Sequence, residues 1–266
     1  MPQLMRTSNP ALGENAFRGA RAIQYGERFG GSLPGERVES MTLNGTVNKT
    51  GILLVLAMAS AGWTWFQFMQ TRNPADVMPW MLLGMFGGLI FAMVTIFKKE
   101  WSPVTAPAYA LLEGLVLGGL SAIFELRYPG IAIQAVGLTF GTLFVLLFVY
   151  RAGIIKVTDK FRLGVVAATG GVALFYLAEM VLGFFGIHFN GVNGVNGSGL
   201  VGIGFSLLVV GIAALNLVLD FDFIEKGVQY GAPKYMEWYG AFGIMVTLVW
   251  LYLEMLRLLS KIRSRN

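Results

Sequence analysis

Five carboxylates stand within stretches that are otherwise apolar: Glu113, Glu179, Asp220, Asp222 and Glu254. A charge in hydrocarbon is costly, so each must be protonated, paired or turned toward a polar cavity. Oxygen-only ligands favour hard cations, and calcium tolerates irregular coordination best. Two carboxylates sharing one site cannot both ionise cheaply, so such a pair titrates with one pKa raised. The pair can hold a proton at lower pH and a divalent cation or an arginine at higher pH.

The five differ in what they offer. Glu113 is halfway along its stretch, too deep to reach the interface, and its plainer reading is a protonated acid bonded to a carbonyl. Glu179 lies nearer an end and also reads as an interfacial group. Asp220 and Asp222 are two residues apart, which on a helix turns them about 200° from each other. Asn216 extends the face of Asp220 by one turn, whereas Asp222 shares a face with Glu225 and Lys226. Asp220 is therefore expected to point inward and Asp222 to sit at an interfacial rim, as a second candidate. Glu254 lies deep in the last apolar run, with Thr247 two turns earlier on its face and Arg257 at i+3. A local ion pair with Arg257 is the plainer reading. The sharper one sets Glu254 against a carboxylate of the preceding stretch across a central cavity, making Asp220 and Glu254 candidate Ca2+ ligands.

The elements that carry these groups are seven uncharged stretches, at roughly 50–70, 77–97, 104–124, 131–150, 163–187, 200–222 and 239–260. A hydrocarbon core about 30 Å thick needs roughly 20 apolar residues in a helix. Every backbone polar group inside it must be bonded within the segment. The expected fold is an all-α integral membrane protein with seven transmembrane helices. Composition agrees: 55% of the 266 residues are hydrophobic and only 13% charged, about half the charge of a soluble domain. The 35 glycines suit close helix contacts. Small residues recur every four positions at Gly84, Gly88 and Ala92, and again at Ala110, Gly114, Gly118 and Ala122. Such ridges predict packing within one chain.

Residues 1–48 read as a polar, partly disordered arm without a cleavable signal peptide, and 49–266 as the seven-helix domain. With the N-terminus inside, the arm and the even-numbered connections hold 14 Lys/Arg against 6 on the other side. The positive-inside bias puts the N-terminus in the cytoplasm. Lys261, Arg263 and Arg265 would then face outward, which requires that the last helix crosses with a basic outer end or re-enters without crossing.

Other functions are disfavoured. The net charge of +5 forms no basic patch interleaved with aromatics, so no nucleic-acid partner is expected. No cysteine is present, which removes thiol chemistry, and the single histidine, His188, excludes HExxH zinc sites. Gly197-Ser198-Gly199 superficially resembles a serine-hydrolase fragment, but no acid is placed to orient His188. An enzyme is not expected, and no Lys lies inside a stretch to carry retinal.

Several pieces resemble the Bax inhibitor-1 (transmembrane Bax-inhibitor-motif) family in its longer bacterial form. They are Met41–Thr50, Pro107–Gly114, Leu217–Lys226 and Leu248–Leu259 around Leu251-Tyr252-Leu253-Glu254. The likeness runs from about residue 40 to 260. It implies six helices wrapped around a central C-terminal seventh, and a pH-gated calcium leak governed by an acidic pair on the last two helices. By position that pair is Asp220 or Asp222 with Glu254, where the family usually has Asp. The leading expectation is a Ca2+ leak channel in the bacterial inner membrane, with the lipid bilayer, Ca2+ and protons as partners and no cofactor. A proton-coupled cation exchanger and a non-transporting regulator bound to a membrane-protein partner are the alternatives. Oligomeric state is left open.

Overall fold

The structure, a computed structural model, describes residues 39–185 and 197–265. Most of the arm expected at 1–48, His188 and the Asn/Gly-rich run through Asn196 therefore lie outside the described residues. The rest is helical, with one isolated antiparallel bridge between Ser40 and Pro233 and no other strand pairing among the described residues. Seven α-helices follow in order among the described residues: α1 (Leu43–Thr71), α2 (Pro74–Phe97), α3 (Ser102–Arg127), α4 (Ile131–Arg151), α5 (Asp159–Phe184), α6 (Leu200–Gln229) and α7 (Met236–Arg265). A short 3-10 turn, Lys99–Trp101, joins α2 to α3. All seven helices are long and apolar enough to cross a membrane.

Local chemistry sets their ends. Thr42 caps α1 by accepting a hydrogen bond from Gly45 N at 3.0 Å, so the helix begins earlier than the apolar run alone suggests. Arg72 takes a left-handed conformation (φ 52°) and closes α1. Asn73 then caps α2 through Ala75 N, with Pro74 in the first turn. Thr158 caps α5 through Phe161 N. Gly130, at φ 83°, makes the tight turn into α4, and the Glu125 carboxylate accepts from Gly130 N and, at 3.1 Å, from Ala132 N. That carboxylate satisfies amides which have no partner within α4. The seventh helix is unbroken over 30 residues, about 45 Å at 1.5 Å per residue. It has the length to cross, and no break on which a re-entrant segment could turn.

The chain divides into two compact units, one comprising residues up to Leu120 with Asp220–Val246, the other Ser121–Leu219 with Thr247–Asn266. Both α6 and α7 are shared between them. In the first unit glycines let backbones meet. A Cβ on Gly114 would strike Ala57 and Ser60 of α1, and one on Gly118 would strike the Ala61 backbone. Gly84 likewise stands against the Leu112 carbonyl of α3. The small-residue ridges thus serve packing within the chain, α3 being clasped by α1 and α2. In the second unit the helices are joined by side-chain bonds, Asn216 to Thr169 at 2.8 Å and Ser121 to Tyr252 at 2.6 Å.

Burial separates the helices. In its most apolar stretch α7 has 72% of residues buried, whereas α5 has 11%. Large side chains such as Phe66, Ile90, Phe144, Phe148 and Leu174 are exposed, as suits contact with lipid. The C-terminal helix is the most enclosed of the seven, and its apolar face is used against protein rather than hydrocarbon.

Candidate functional site

Asp220 belongs to the first unit and lies on α6, completely buried. Asn216, one turn earlier and also buried, donates from Nδ2 to Thr169 Oγ1 and to the Ile212 carbonyl, both at 2.8 Å. Asp222, on the opposite side of the helix, is only part-buried and accepts from Lys226 Nζ at 2.7 Å. The Asp222–Lys226 pair is the i,i+4 arrangement that stabilises a helix locally.

Glu254, in the second unit on α7, is 2% exposed. Its Oε1 accepts from Arg257 Nη1 at 3.0 Å and from the Tyr176 hydroxyl of α5 at 3.0 Å. Arg257 also donates to the Tyr176 hydroxyl and lies 4.9 Å from the ring centroid. The three side chains form a closed triangle in which the guanidinium neutralises the carboxylate and the phenol orients it. Glu179, half-buried on α5, acts electrostatically on both Tyr176 and Lys261 of this unit. Lys261 is buried too, its Nζ donating to Ser206 Oγ at 2.8 Å and to the Gly202 carbonyl at 3.1 Å. Arg263 is tied to the Pro129 carbonyl at 2.6 Å and to Gln134 at 3.0 Å. Much of the basic end of α7 is therefore spent on bonds inside the protein.

Glu113 sits on α3 of the first unit, its Oε2 filling the space that a Cβ on Gly88 of α2 would enter at 3.2 Å. Among the described residues no three of His, Cys, Asp and Glu gather closely enough to hold a metal ion. The sequence-selected carboxylates are thus distributed: Asp220, Asp222 and Glu113 in the first unit, Glu179 and Glu254 in the second.

The structure makes prominent one carboxylate that lies outside the apolar stretches. Glu237, in the first turn of α7, is fully buried and accepts from Thr42 N at 2.9 Å, from Thr42 Oγ1 at 2.8 Å and from Lys49. Lys234 Nζ lies 3.4 Å from it. Lys49 in turn stands 5.6 Å from the Trp238 ring centroid. Because Glu237 lies outside the apolar runs, nothing marked it except its closeness to Lys234. Its main partners are nearly 200 residues away in the chain.

No curated protein and no solved structure matches this chain. A family model described as Bax inhibitor 1 like matches residues 9–264, nearly the whole length. With seven membrane-crossing helices and buried acids on the last two, the chain belongs to the Bax inhibitor 1 like family of membrane proteins.

Proposed function

We infer that the protein is a pH-sensitive cation leak channel of the Bax inhibitor-1 type, that it passes Ca2+ as cargo, and that it sits in the bacterial inner membrane with its N-terminus in the cytoplasm. The observation that carries this reading is the burial of two carboxylates, Asp220 at 0% and Glu254 at 2% exposure, on helices long and apolar enough to span a bilayer. A buried intramembrane acid is expensive, and its best-attested use is in an ion or proton path.

In this reading two of the acids, Glu254 and Asp222, have a resident cation that an entering one must replace. Arg257 occupies Glu254, and Lys226 occupies Asp222, each from about one turn along the same helix. Ca2+ competes with the guanidinium for the carboxylate oxygens. A proton abolishes the carboxylate charge and releases the guanidinium. Conduction therefore depends on how many of Asp220, Asp222 and Glu254 are ionised. Tyr176 holds Glu254 in place through either event, because a phenol donates to a carboxylate and to a carboxylic acid carbonyl alike.

The test is Ca2+ flux into liposomes holding the purified protein, measured across several pH values. Glu254→Gln and Asp220→Asn should each lower the flux several-fold and flatten its pH response. If both variants conduct and respond as the parent does, these residues are not the site. Flux that stops when a protonophore collapses the proton gradient would replace the channel with a proton-coupled exchanger. A parent protein that passes no cation would leave a membrane regulator acting through a protein partner.

A further inference from the structure

Four residues before the first span, Glu39–Thr42, are laid across the turn between α6 and α7. Met41 N donates to the Ala232 carbonyl at 2.7 Å, and Lys234 N donates to the Glu39 carbonyl at 3.0 Å. Ser40 and Pro233 form the antiparallel bridge between these bonds. Met41 is itself 1% exposed, and its side chain reaches Gly240 of α7. Beneath this short strand is the Glu237 carboxylate, which takes both donors of Thr42 together with Lys49 of α1. Gly45 permits this approach, since a Cβ there would collide with the Glu237 carboxylate. From a third direction Ser102, at the start of α3, donates to the Tyr235 carbonyl at 3.0 Å.

This is more than an end cap. A cap satisfies the amides of its own helix, whereas Thr42 does so through Gly45 N and then also binds a carboxylate on another helix. The turn so held is the only covalent link between α6, which carries Asp220 and Asp222, and α7, which carries Glu254. Lifting this turn away from Glu39–Thr42 must strip two backbone bonds and leave a buried carboxylate short of donors, which is unfavourable.

We propose that Glu39–Thr42 is a strap that holds the α6–α7 turn closed, that Glu237 is its catch, and that releasing the strap increases cation conduction through the acidic helices. The proposal rests on the leak reading above and concerns its regulation.

The chain contains no cysteine, so a cross-link can be introduced without background. Directly opposed residues of an antiparallel pair have Cα atoms about 4.5–5.5 Å apart, within the range of a disulfide. The full-length double variant Ser40→Cys with Pro233→Cys is reconstituted in liposomes, and Ca2+ flux is read after oxidation and again after reduction. Oxidation should lower the flux several-fold, reduction should restore it, and neither single variant should respond. Glu237→Gln should raise the flux several-fold and speed hydrogen exchange at the Met41 and Lys234 amides. Thr42→Val, which keeps the Lys49 ion pair, should do both to a smaller degree and stands in if Glu237→Gln does not fold. Equal flux before and after reduction, with the parent conducting, overturns the strap as a gate, as does failure of the cross-link to form. Unchanged exchange in both Glu237→Gln and Thr42→Val overturns the catch. A parent without flux shows instead that the leak reading has failed, and the gating role falls with it.

Discussion

Helix α7 carries two buried glutamates that are stabilised in contrasting ways. Glu237, in the first unit, is held by donors from α1 and from the residue that caps it, with Lys234 as the one nearby cation on its own segment. Glu254, in the second unit, takes its cation from its own helix three residues on and a single phenol from α5. The tightly packed glycines fall in the first unit, which also has open ones at Gly51 and Gly62. Gly84, Gly114 and Gly118 are pressed against neighbouring helices, whereas Gly137, Gly141, Gly164 and Gly170 have open space where a side chain would project. Long-range contacts that tolerate little change are concentrated in the first unit. Of these two glutamates Glu254 is the better placed for exchange of its partner, because a locally held cation can let go without separating helices.

The contrast can be broken first at its strongest point. Glu237→Ala leaves the part-buried Lys49 without its carboxylate and the Thr42 donors without an acceptor. Breaking a buried pair costs about 3–5 kcal/mol, and the low end applies because water reaches Lys234. Thermal unfolding in detergent should show a loss of about 3 kcal/mol; an unchanged midpoint would mean the clasp contributes nothing.

Gly118→Ala comes next. The added methyl meets the Ala61 backbone, which cannot turn aside as a side chain can, so a loss of about 2 kcal/mol is expected from overpacking. In the second unit Gly141→Ala should be neutral or slightly stabilising, since the site is open and alanine is the better helix former by about 1 kcal/mol. Equal losses at the two positions would erase the distinction between the units.

Arg257→Met should cost less, about 1 kcal/mol, because the guanidinium is 42% exposed and its attraction for Glu254 is screened. Its larger consequence belongs to transport: with the resident cation gone, the pH response of Ca2+ flux should shift while the fold persists. Lys226→Met is expected to have the smallest effect on stability, about 0.5 kcal/mol or less, as an i,i+4 pair at a helix surface. An Arg257→Met protein whose flux follows pH as the parent does would remove Arg257 from the proposed competition.

Much of the architecture was legible before any coordinates. Uninterrupted apolar length dictates the helices, since hydrocarbon offers the backbone no other partner. The small-residue ridges marked where helices approach, and the 200° step from Asp220 to Asp222, with Asn216 on the one face and Glu225 and Lys226 on the other, pointed to Asp220 as the buried one. The i,i+3 spacing likewise announced the contact between Glu254 and Arg257. Each of these signals is periodic or local, so it survives in one dimension.

The sequence alone determined that this chain is a bundle of membrane-crossing helices with acids in its apolar spans, because solvent polarity acts on every residue wherever it packs. Only tertiary structure decided which cation or hydroxyl each acid meets. Glu237 finds Thr42 and Lys49 across most of the chain, Tyr176 reaches Glu254 from α5, and Lys261 is bonded to carbonyl and hydroxyl oxygens of α6. Such pairings are fixed by the meeting of helix faces, and a distance of a few ångströms between residues almost 200 positions apart has no counterpart in the order of the letters.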